Sequence, residues 1–149
     1  MKLHKKFEEY LKDGTIKKTS INKPKAKFLM GESETSFLGL QERVDTMGIN
    51  EKNTNSIVKD CYDIIMGIIR SKLLLSEYKS SGYFSHEAEI SYLKNLGFSD
   101  QEIIFMNTLR HFRNAAIYDG KILDKSYTQK VVEFTKKIYP KLKNLTKRV

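Results

Sequence analysis

The sequence predicts an all-α fold: four longer helices and one or two short ones, packed as an up-and-down helical bundle. Three observations carry this. Apolar residues recur at alternating steps of three and four, the spacing that puts them on one helix face. No segment shows a convincing period-two alternation, and no internal repeat is found. The 8 glycines stand singly, mostly between these segments, where they end helices.

A first helix is expected from about Leu3 to Asp13, stopped by Gly14. Residues 15–23 read as a linker or short turn. Pro24 suits the first turn of a second helix, whose seam is Ala26, Met30, Ser33, Phe37, Leu40, Val44 and Met47. Gly31 and Gly39 on it are candidate points of close helix approach. Gly48 closes it, and residues 50–53 form a polar turn. The third helix places Ile57, Cys61, Ile64, Ile68, Ser71, Leu75 and Tyr78 on one seam, widened by Val58, Ile65, Ile69, Leu73 and Leu74. A helix apolar over so much of its girth is either central in its bundle or buried at an oligomer interface, and a homodimer is expected.

Residues 80–82 read as a loop. Ser85 is placed to cap a short helix reaching about Leu96, with Glu87 and Glu89 in its first turn. Gly97 ends that helix. Ser99 and Glu102 then form a capping box, with Phe98 and Ile103 spaced as a hydrophobic staple. The helix they open runs to about Ile117. After Gly120, a last helix starts near Asp124 with Tyr127, Val131, Phe134 and Ile138 as its seam, and Pro140 ends or kinks it. Residues 1–23 are thus a basic N-terminal helix and linker, and residues 24–149 the bundle.

The formal net charge of +9 is uneven along the chain. Residues 1–30 hold nine Lys against three acids, residues 31–120 nine basic against thirteen acidic residues, and residues 121–149 nine basic against two acidic. Two basic ends around an acidic middle suit a polyanion such as RNA; Lys-rich helices kept soluble by charge are the plainer alternative. The longest apolar run, residues 64–69, is too short to span a bilayer. The Lys-rich N-terminus lacks the apolar stretch of a signal peptide, and the lone Cys61 fits a reducing cytoplasm as a small buried residue. No histidine or cysteine spacing suggests a metal site, and no Gly-rich phosphate loop or other cofactor motif is present.

Chemistry concentrates in residues 109–120. Phe105, Leu109, Phe112 and Ala116 form one stripe of that helix; Ile103, Met106, Arg110, Arg113 and Ile117 form another, cationic in its middle. Guanidinium groups bracketed by apolar residues need anionic partners. Asp60 and Asp63 would make them structural ion pairs; a ligand phosphate would make them a binding site. His111 adjoins the Arg110 face and joins Arg110 and Arg113 as a ligand-binding candidate.

Arg113-Asn114, followed at the interval of a catalytic His by Tyr118, resembles the signature of the HEPN superfamily: Arg, a polar residue that is often Asn, spacers, then His. A long central helix, a short helix opening His86-Glu87-Ala88-Glu89-Ile90, the Arg-Asn helix and a closing helix follow in the family's order, over roughly residues 24–145. Tyr118-Asp119-Gly120-Lys121 is similar to small HEPN-like proteins of archaeal type. The resemblance implies a metal-independent ribonuclease site assembled across a homodimer, with Arg113, Asn114 and Tyr118 at the catalytic positions. It also implies a minimal nucleotidyltransferase as partner, in the manner of a toxin–antitoxin pair. With a phenol pKa near 10, only about one Tyr118 in a thousand is ionised at pH 7. The expectation is therefore a nucleotide- or RNA-binding or partner-binding module with a degenerate ribonuclease motif; the alternative is a weak ribonuclease acting through Arg113, Asn114 and Tyr118, with His111 as proton carrier.

Overall fold

The computed structural model describes residues 5–146 and is predominantly helical. In chain order it runs α1 (Phe7–Asp13), β1 (Ile16–Lys18), α2 (Lys23–Met47), α3 (Thr54–Leu75), β2 (Tyr78–Ser80), α4 (Ser85–Asn95), α5 (Asp100–Tyr118) and α6 (Lys125–Thr146). The expected start of the first helix at Leu3 lies outside the described residues. Among those described, no helix is long and apolar enough to cross a membrane.

The bundle is organised around α3. Ile57, Val58, Cys61, Tyr62 and the whole run Ile64–Ile69 are buried, because α2, α4, α5 and α6 all pack against this helix. Its wide apolar girth is consumed inside one chain and gives no support to a homodimer. Burial also pushes the Cys61 thiol up to about 12, so it stays protonated and unreactive at neutral pH.

The α2–α3 contact closes on a glycine, but not on either of the two expected. Gly31 and Gly39 face open space. Gly67 on α3 is the close approach: a Cβ there would lie 2.2 Å from Ser33 Oγ. Nearby, Ser71 Oγ donates to the Ala26 carbonyl at 2.7 Å. Gly67→Ala is expected to lower stability by about 1–2 kcal/mol through overpacking. Removing the obstructing hydroxyl in Ser33→Ala/Gly67→Ala should restore it, since Ala also favours helix over Gly by about 1 kcal/mol. Urea melts of both variants check this.

The expectations of a linker over residues 15–23, of Tyr78 on the α3 seam and of a loop from residue 80 are corrected. β1 and β2 pair antiparallel, with Ile16 opposite Ser80 and Lys18 opposite Tyr78. Three-residue strands are too short to show a period, and their partners lie about sixty residues apart in the chain. Tyr78 therefore sits on a strand, not on the α3 seam. α3 ends without a glycine: Glu77 itself turns left-handed at φ 66°, which is why the apolar pattern alone overran the helix end. The ladder extends through Ser81 N–H to the Thr15 carbonyl at 3.0 Å and anchors the loop that leads into α4.

Phe7, Tyr10 and Ile16 belong to the same buried core as α3. Phe7 packs its ring against Tyr78 and Tyr92 at 5.2 and 4.7 Å. The N-terminal segment is thus integrated into the bundle from Phe7 onward.

Helix boundaries follow their caps. Asn22 accepts from Lys25 N–H at the start of α2. Ser99 and Glu102 form the expected capping box at α5, with Phe98 and Ile103 both buried. Asp124 accepts from Tyr127 N–H at α6. Ser85, by contrast, does not cap α4; Phe84 stands at the cap position and no side chain closes that terminus. Pro140 does not end α6, which continues to Thr146.

Candidate functional site

α4 and α5 pack side by side, and the start of α4 meets the second half of α5 in a cleft of about 960 Å³. That volume lies at the upper end of the roughly 300–1,000 Å³ typical of small-molecule sites. Its lining includes all five residues singled out in the sequence: Arg110, His111, Arg113, Asn114 and Tyr118. Helical periodicity explains why: positions 110, 113, 114 and 118 repeat at steps of three and four along one side of α5. Asn55 on α3 ties down the chain that follows α5. Its amide nitrogen donates to the Lys121 carbonyl at 2.8 Å and its oxygen accepts from Leu123 N–H at 2.9 Å, holding the α5–α6 connection beside the cleft.

The two guanidinium groups are poorly matched by carboxylates. Asp60, one expected partner, instead binds Arg43 at 2.6 Å. Asp63 approaches Arg113 only to 3.8 Å, and its side chain is 63% exposed. No described carboxylate lies within ion-pair distance of Arg110, whose Nη2 sits 3.4 Å from His111 Nε2. The Arg113 side chain is 17% exposed. It lies over the Tyr62 ring at 5.2 Å and donates through Nη1 to Asn114 Oδ1 at 3.3 Å. The Nε atoms of both arginines are buried without a hydrogen-bond partner among the described residues.

The Asp63 carboxyl measures how weak its pair is. A dominant ion pair would lower its pKa, yet the pKa is raised: burial outweighs the pull of Arg113, and Asp60 adds repulsion. A carboxyl with a raised folded pKa favours the fold below its unfolded value, and that contribution is lost as pH rises through the folded one. Asp63→Asn is therefore expected to leave the melting temperature at pH 7 unchanged or higher; a clear drop would reveal a strong pair.

α4 contributes the other wall. Ser85, His86 and Glu87 of its first turn line the cleft. The absence of a side-chain cap leaves first-turn N–H groups open there, with the positive end of the helix dipole. The Tyr10 hydroxyl has its pKa raised, first by burial and then by the charge of the Glu87 carboxylate. Lys5 also lines the cleft, with its ammonium paired to Asp13.

His86 is fixed from behind. Arg70 donates through Nε to both Glu89 oxygens, at 3.1 and 2.9 Å, and its Nη2 lies 3.1 Å from His86 Nε2. A guanidinium has no acceptor, so Nε2 must accept. The ring proton of the neutral imidazole then sits on Nδ1 and donates to Tyr62 Oη at 3.1 Å. Burial, and next the Arg70 charge, hold the His86 pKa below its ordinary value. Burial pushes the Tyr62 hydroxyl up to about 12. Both groups are thus neutral near pH 7, and neither ring nitrogen of His86 is free to take a proton from a ligand.

Sequence reasoning missed this placement of His86, which needed the α3–α4 contact to become visible. It also missed Tyr83 and Phe84, which stand at the mouth of the cleft, and Lys5. Among the described residues, no group of three or more His, Cys, Asp or Glu could hold a metal ion. No family model matches the chain, and neither a curated protein nor a solved structure does.

Proposed function

We propose that this protein binds RNA or nucleotides through phosphate, in the cleft between α4 and α5. The observation that carries the reading is the convergence of Arg110, Arg113 and the α4 N-terminus on one cleft, where the two lining carboxylates, Glu87 and Asp119, form no ion pair with either arginine and Asp63 reaches Arg113 only at 3.8 Å. Oriented N–H donors and two guanidiniums suit a phosphate group, which accepts several charge-assisted hydrogen bonds at once. The basic ends of the chain would add long-range attraction for a polyanion. Binding without cleavage is favoured because both nitrogens of His86 are occupied and the other imidazole of the cleft, His111, has its Nε2 turned to Arg110 Nη2 at 3.4 Å. This reading agrees with the degenerate signature at Arg113, Asn114 and Tyr118.

The test is titration of a labelled single-stranded oligoribonucleotide at increasing salt, in EDTA. Binding should weaken with a log–log slope of about 0.7 per phosphate neutralised, with the oligonucleotide recovered intact. Absence of binding at low salt would reject the reading; cyclic-phosphate ends would replace it with the ribonuclease one.

A further inference from the structure

We propose that the loop between β2 and α4 is a base-stacking platform, so that the cleft takes a nucleotide unit of a single strand, unpaired base and phosphate together. This rests on the phosphate reading above and adds the part of the ligand that phosphate contacts cannot select.

Tyr83 and Phe84 are consecutive, and both line the cleft. Tyr83 is 94% exposed and Phe84 55%. One exposed aromatic on a surface is ordinary; these two are held against each other, edge to face, with ring centroids 5.0 Å apart and planes at 86°. The loop is braced at both ends. Before it, Ser81 N–H is tied to the Thr15 carbonyl, and Gly82 turns at φ 91°. After it, the Phe84 carbonyl accepts Ala88 N–H in the first turn of α4. The rings are therefore presented on a fixed backbone beside the open α4 terminus. Tyr118, 75% exposed, brings a third ring to the same cleft from the end of α5.

Aromatic faces beside cationic donors are what a single-stranded nucleic acid requires: bases stack on the rings while the backbone tracks the charge. In a duplex the faces of interior bases are already stacked, so a duplex gains nothing from the platform. Inorganic phosphate would use the arginines and leave the rings idle.

The experiment compares a labelled single-stranded oligonucleotide with an abasic strand of equal length, which carries the same phosphates without bases. Ribose and deoxyribose versions and a duplex complete the set. Wild-type protein should bind the base-bearing strand about tenfold tighter than the abasic one, within the range known for base–aromatic stacking. Tyr83→Ala/Phe84→Ala should remove most of that preference, with abasic binding falling far less. Arg110→Ala should weaken both strands alike. The chain contains no Trp, so Tyr83→Trp supplies a single reporter that keeps a stacking face; its emission should respond to the base-bearing strand and not to the abasic one. Equal wild-type affinity for the two strands, or a preference that survives the double substitution, would overturn the platform while leaving phosphate binding intact. No binding of either strand would overturn both.

Discussion

Arg110→Ala/Arg113→Ala is expected to weaken oligonucleotide binding by a hundredfold or more while leaving a cooperatively folded protein. Hydrogen bonds to charged groups contribute about 1.5–3 kcal/mol each, so losing two guanidiniums at one phosphate site reaches that range even with partial compensation. The fold should tolerate the change because neither arginine is anchored by a close carboxylate. Asp63 is 3.8 Å from Arg113 and its side chain is 63% exposed, so no fully buried charge is stranded. The stability cost falls mainly on Arg113, 17% exposed and lying over the buried Tyr62 ring, about 2 kcal/mol for a largely desolvated cation–π pair. Arg113→Lys separates charge from geometry: it keeps the cation but loses the planar fork, and binding should fall to an intermediate level. Anisotropy titrations beside thermal melts check all three. A collapse in stability with binding retained by the folded fraction would assign the arginines to scaffolding.

Arg70→Ala should produce the largest loss of stability of any charged residue considered, about 3 kcal/mol. Arg70 makes both hydrogen bonds to Glu89, whose side chain is 7% exposed. Removing one partner of such a pair leaves a desolvated carboxylate, which costs more than the pair itself contributes. Adding Glu89→Gln should recover much of the loss, because the stranded charge disappears. A second readout separates this from general damage. His86 loses the donor to Nε2 and a neighbouring positive charge, so its imidazole should titrate at higher pH than in the wild type, measurable by NMR. A His86 titration that does not move would show that Arg70 has no hold on the ring.

Most helices and their order were legible in the sequence. The capping box at Ser99, the apolar seam of α3 and the glycines after α1, α2 and α4 are local signals, readable because a helix closes its hydrogen bonds within a few residues. The cationic face of α5 was legible for the same reason: Arg110, Arg113, Asn114 and Tyr118 share one side of one helix whatever packs against it. What that face meets was not. Whether Arg113 pairs with Asp63 or stays open depends on a 3.8 Å separation between two helices, and residue spacing carries no information on that. The same holds for the 2.2 Å approach at Gly67, where a glycine inside an apolar run looks like a defect until α2 is laid across it.

By itself the sequence determined an all-α chain built on a central apolar helix, with basic ends and a cluster of arginines near the close of its fifth helix. Only the tertiary structure decided that α3 buries its full girth within one chain, that residues 16–18 find strand partners about sixty residues away, and that the start of α4 faces the arginines of α5. It also decided that His86 is held neutral between Arg70 and Tyr62, and that Tyr83 and Phe84 stand at the mouth of the cleft. The physical reason is one of range. Periodicity and capping act over one or two helical turns, whereas a binding site is made where separate elements, distant in the chain, bring charge, donors and ring faces together.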